Sequence, residues 1–284
     1  MTKTMTKSEI EIINDTRDLI EGGEYILAGS ARVREARNAV IREMRDDARI
    51  ETLSGSASVR VMRDSASVSV MRDSASVGWM DNATHVGHMR DSARVSVMDD
   101  SSSVAEMFGS ARVGRMTGDA GVGEMAGAAR VDLLFGSSSV GQMMGSSSIG
   151  GMYGSSSVDQ MRDKASVGLM SGHASVGWMY DAASVDTIRD SASVGEMHGN
   201  TSVVQMEDSA RVDVMTGAAR VGAMWDSASV SEMWRSARVH QMTGDASVIL
   251  MRDRAKVAVM CNRTKAPRTP QTDSRNQTKT QDKE

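Results

Sequence analysis

The feature that most constrains this chain is a repeat of nine residues. Counting by nines from Val59 reaches Val257 through 23 positions, and all are valine except Ile149. Three residues after each stands methionine, except for Leu134 and Ile188, and two residues before each stands Ala, Ser or Thr. We number the unit so that "SASVGEMHG", Ser191 to Gly199, occupies positions one to nine. Looser units come first: Ile50 with Leu53, Ile41 with Met44, and "SARVREAR", Ser30 to Arg37, one residue short. Such a period marks stacked repeats, in which each unit covers the apolar side chains of the next.

Within a unit, positions two and four share one face of an extended segment, because strand side chains alternate with a period of two. Valine at position four suits a pleated, half-buried surface. Position seven is apolar between variable neighbours, which reads as a second short strand with its methionine inward. Position five is often Gly, and position nine is nearly always Gly, Asp or Asn. Both read as corners, since Gly tolerates positive φ and Asp or Asn caps a turn with its own side chain. The unit is thus expected to be two three-residue strands joined by two corners. A helix is excluded by the recurring Gly or Asp and by weak helix formers. Disorder is excluded by columns held in register.

The expected fold is all-β, a parallel β-solenoid over residues 30–260, with an N-terminal cap at 1–29 and a disordered polar tail at 261–284. Eighteen residues per coil, two units, is preferred over nine, which would enclose only one Ala, one Val and one Met. The 23 units would then span roughly 55 Å at a strand spacing of ~4.8 Å. No odd–even alternation between units stands out. Aromatic residues make up only 3% of the chain, so the core is thin and built from Val, Ala and Met. In the cap, Ser8 and Glu11 form a capping box for a short helix ending near Gly22, and "EIEII" reads equally well as an edge strand. "EYILAG", Glu24 to Gly29, leads into the first coil.

The pattern Ser-Ala-Ser/Arg-Val-x-x-Met-x-Gly/Asp resembles the nonapeptide "DSATV/GSARV" arrays of uncharacterised bacterial and prophage proteins. That resemblance covers about Ser30 to Met260, implies the solenoid architecture and a phage or prophage context, and brings no activity with it. The Ala-Ser-Val centre is also similar to the small–polar–apolar centre of pentapeptide-repeat proteins, which are quadrilateral β-helices. Their DNA mimicry implies a continuous acidic surface. Here Arg enters position three at Arg94, Arg112, Arg130, Arg211, Arg220 and Arg238.

A net charge of −4 gives no strong field toward nucleic acid or an anionic membrane. The start carries no apolar run of signal-peptide type, and no stretch has the length of a transmembrane helix. The chain is therefore expected in the cytoplasm or in a phage particle assembled there, and the single Cys261 allows no internal disulfide. No cofactor or metal is expected. Leu134 and Ile188 replace methionine where a Cu(I) thioether site would need it, so the methionine column is core packing. The position-nine Asp residues Asp64, Asp73, Asp163 and Asp190 read as turn caps and not as calcium ligands. His85, His88, His173, His198 and His240 fall at different repeat positions and form no Ser–His site. The chain is expected to be non-enzymatic, a rigid spacer or a binding surface for a protein or glycan. Nucleic-acid mimicry is the alternative and ice binding a third reading. Candidate contacts are the outward aromatics, Trp79 and Trp178 at position six and Phe108, Phe135, Tyr153, Tyr180, Trp225 and Trp234 at position eight, with packing against neighbours in the same column as the equal alternative.

Overall fold

A computed structural model describes residues 10–261. Among these residues there are 29 strands and no helix, so none is long and apolar enough to cross a membrane. The first six strands are β1 (Glu11–Ile13), β2 (Thr16–Glu21), β3 (Glu24–Leu27), β4 (Arg32–Arg37), β5 (Val40–Met44) and β6 (Arg49–Ser54). From β7 (Ser58–Met62) each strand begins nine residues after the last, ending with β29 (Lys256–Met260). Odd strands form one parallel sheet of 15, and even strands form a second of 14. In the regular part, paired residues lie eighteen apart, as in Val59 to Val77 and Met62 to Met80. The molecule is thus a two-sheeted parallel β-solenoid with eighteen residues per coil. Fifteen strands at the usual ~4.8 Å spacing make a rod roughly 67 Å long.

Each unit forms one continuous five-residue strand, positions three to seven, and not two three-residue strands. Valine at position four and methionine at position seven are both buried, while positions five and six both face outward. Alternation therefore slips in mid-strand, and position five is the residue absent from the pairing register. Position five lies inside the strand and not at a corner, and where it is Gly the coil below packs close. A Cβ on Gly78 would lie 2.5 Å from the carbonyl oxygen of Arg60, one coil below.

The single corner spans positions eight, nine, one and two. In the turn after β7 it closes through the Ala66 N–H, which donates to the Arg63 carbonyl at 3.1 Å. Position nine is left-handed throughout, at φ 59° in Asp64, 57° in Asp190 and 71° in Gly199. That conformation is why Gly, Asp and Asn are selected there. The turn backbone also bonds to the coil below, as Ser65 N–H does to the Asp46 carbonyl at 3.0 Å.

Positions two, four and seven of both sheets face one another in a single buried core running from Ile13 to Val248. Six units place Ser or Thr at position two, for example Ser138, Ser147 and Ser156, and their hydroxyls find no partner among the described residues. This column therefore selects for small size. A buried hydroxyl left unbonded forgoes about 1–3 kcal/mol, which the apolar Ala of most units avoids.

The N-terminal segment differs from the helical alternative. From Glu11 on it is strand, with β1 pairing in parallel with β3 and β2 with β4, so the solenoid begins before residue 30. Ser8, and the polar tail from residue 262, lie outside the described residues.

Candidate functional surfaces

Since the core columns are alike in both sheets, chemical individuality lies in the outward positions three, five and six and in the turns. Eighteen-residue coils send alternate units to opposite sheets, and this separates charge. From β7 to β29, the first sheet carries Arg60, Arg94, Arg112, Arg115, Arg130, Arg220, Arg238 and Lys256 against only Asp132 and Asp186. Over the same length the second sheet carries Glu106, Glu124, Asp159, Glu196, Asp213 and Glu232 against only Arg211. One face is basic and the other acidic. The apparent lack of odd–even alternation is thereby corrected: it is absent from the core columns and present in the charge.

The turns leading from the first sheet to the second extend the acidic side. They carry Asp64, Asp81, Asp99, Asp100, Asp119, Asp190, Glu207, Asp208, Asp226 and Asp245 against Arg63 and Arg189. Crowding there is enough to perturb titration. A hydrogen bond with Asp81, then burial and the Asp81 and Asp99 charges, push the Asp100 carboxyl above its ordinary value. The corner aspartates are mostly caps for the coil below. Asp73 Oδ2 accepts from Gly55 N–H at 3.0 Å, and Asp163 Oδ2 accepts from Gly145 N–H at 2.9 Å.

On the basic face the arginines at position three stand in ladders. Arg94 pairs across strands with Arg112, and Arg112 with Arg130. Asp132 takes hydrogen bonds from Arg112 and from Arg130 Nε, the latter at 2.7 Å. Burial pushes the Asp132 carboxyl up, but the two guanidiniums outweigh it and hold the group below the usual carboxylate value. A second ladder, Arg220, Arg238 and Lys256, lies nearer the C-terminus. On the second sheet, Ser139, Ser157, Ser175 and Ser193 run without interruption.

The aromatic candidates do not gather into one patch. Trp79 projects from the first sheet and Trp178 from the second, 37% and 41% exposed. Phe135, Tyr153 and Trp225 sit in turns leaving the first sheet, and Phe108, Tyr180 and Trp234 in turns leaving the second. Several pack within their own column. Phe135 stacks on Tyr153 at 5.0 Å between ring centres, and Tyr180 stacks on His198 at 5.1 Å. Arg252 lies over the Trp234 ring at 5.5 Å, and Trp234 Nε1–H donates to Glu232 at 3.0 Å. Column stacking follows from the repeat, because equal positions recur one strand spacing apart.

His85 and His88 do share the outer face of one strand. They bond to Ser103 and Glu106 of the next coil, both at 2.9 Å. Burial, then the His88 charge, push the His85 imidazole below its ordinary value. Among the described residues no three His, Cys, Asp or Glu side chains converge as a metal-holding set. Columns taken with a period of nine hide the charge ladders. The signal was available, since Arg94, Arg112 and Arg130 recur at eighteen. Comparison with family models, with curated proteins and with solved structures finds no match for the chain.

Proposed function

We propose that the protein is a non-enzymatic rod, a rigid spacer whose long faces offer a binding surface to a protein or glycan partner in a phage or prophage setting. The observation that supports this reading is the unbroken register: from β7 to β27 every strand pairs with the strand eighteen residues on, up to the last strands β28 and β29. Bending such a rod would break ladder bonds along one side, so outward groups keep fixed intervals of ~4.8 Å. Spin labels on Cys261, which is exposed, and on a Ser65→Cys variant test it. The two sites lie eleven coils apart, about 53 Å along the axis at that spacing. A narrow distance distribution near this value is expected. A broad one, or one centred much shorter, would refute a rigid spacer.

A second reading rests on the acidic second sheet and its adjoining turns, which form a longer acidic surface than the scattered arginines imply. It is a nucleic-acid-mimicking inhibitor of a DNA-binding enzyme. Competition with DNA for such an enzyme should weaken steeply as salt rises. Competition that ignores salt counts against mimicry.

A further inference from the structure

We propose that the C-terminal part of the first sheet binds a compact polyanion carrying two or three phosphate or sulfate groups in line, through Arg220, Arg238 and Lys256. The three side chains occupy the same outward position of adjacent parallel strands, β25 (Arg220–Met224), β27 (Arg238–Met242) and β29. They therefore stand at intervals of about 4.8 Å. Like charges directly opposite across strands repel, and a counter-charge is expected to accompany them. Among the described residues none of the three is ion-paired, whereas Arg112 and Arg130 of the earlier ladder share Asp132.

The contrast is positional. Asp132 stands at position five, two residues after Arg130 and one coil above Arg112, and so reaches both. Six coils later the same position holds His240, on the strand of Arg238 and one coil above Arg220. The second ladder thus keeps the cations and lacks their acid. The turns leading into β27 and β29 add Arg235, Arg252 and Arg254. The acid between these, Asp253, accepts from the Arg235 backbone N–H at 3.0 Å. Beside the ladder runs an open groove of about 650 Å³, lined by the three cations with Gly222 and His240, and also by apolar groups that include Val257 and the half-buried Met251. That volume falls in the range of small-ligand sites. Arginine's fork matches the oxygens of phosphate or sulfate.

Titration calorimetry of the full chain with inorganic tripolyphosphate, and separately with a sulfated disaccharide, tests the site and separates the two sources of the anion. Saturable binding of at least one is expected at low salt, weakening as salt rises. Arg238→Gln should weaken it at least tenfold, and Arg112→Gln should leave it unchanged. His240→Asp rebuilds the Asp132 arrangement and should abolish binding while the sheet circular dichroism stays intact. Asp132→Ala should, conversely, give the earlier ladder measurable affinity. The proposal is overturned if neither anion saturates, or if Arg238→Gln and His240→Asp bind like the parent chain.

Discussion

At the scale of single residues, the repeat is governed by conformational demand at one position. Position nine is left-handed in every described unit from Asp64 to Asp253, and all but one of these residues is Gly, Asp or Asn. The exception is Arg235, at φ 60°. An L-residue there costs roughly 1–2 kcal/mol, and Arg has neither the freedom of Gly nor the local side-chain bonds of Asp and Asn. Arg235→Gly should therefore stabilise the rod by about 1 kcal/mol, after the greater flexibility of glycine in the unfolded chain is deducted. The backbone N–H that donates to Asp253 is kept. A rise in the thermal midpoint of about 2–4 °C is the expected size for a chain of this length. A fall would mean that the Arg235 side chain makes a contact stronger than the strain it brings.

At the scale of the element, stacked corners act as a unit. Asp190 Oδ2 accepts from Gly172 N–H at 3.0 Å and from the Ser171 hydroxyl, while Asp208 Oδ2 accepts from Asp190 N–H at 3.2 Å. The Ser171 hydrogen bond, then the Gly172 backbone bond, hold the Asp190 carboxyl below its ordinary value. A depressed carboxylate stabilises the fold fully above the unfolded pKa of about 3.9, and that contribution is lost as pH falls through the lower folded value. Asn at this place keeps an acceptor and does not titrate. Urea unfolding at pH 6 and pH 3 should show a smaller acid loss for Asp190→Asn than for the parent, and equal losses would remove this corner from the pH response. The corner itself was legible in the sequence, because only a few residue types accept positive φ. The strand was less so. Two apolar positions three apart suggested two short strands, but the backbone stays extended through position five and only its in–out phase slips. Of the aromatics read as outward, Trp79, Trp178 and Trp234 are exposed and the other five are half-buried in turns, and their grouping is hidden because neighbours in sequence face opposite sides of the rod.

At the scale of the whole molecule, core and surface obey different periods. Ala, Val and Met recur every nine residues in both sheets, so the core does not distinguish one face from the other. Charge recurs at eighteen, as in Arg220, Arg238 and Lys256. This makes the nine-residue unit the quantum of folding and the eighteen-residue coil the quantum of surface. Deleting residues 164–181 removes one coil, shortens the rod by about 4.8 Å and leaves every later residue on its own face. Deleting residues 164–172 removes one unit and sends all later strands to the opposite sheet. The Val, Met and small-residue columns still meet their equals, so stability should fall only by the share of one unit, as for a sum over neighbours. Both variants should keep the parent's sheet circular dichroism per residue and unfold cooperatively. In the shorter deletion, however, Arg220, Arg238 and Lys256 join the sheet of Glu106 and Glu124, and the separation of basic from acidic faces is lost. If the eighteen-residue deletion folds and the nine-residue deletion does not, the coil is indivisible and charge placement belongs to the folding code as well as to the surface.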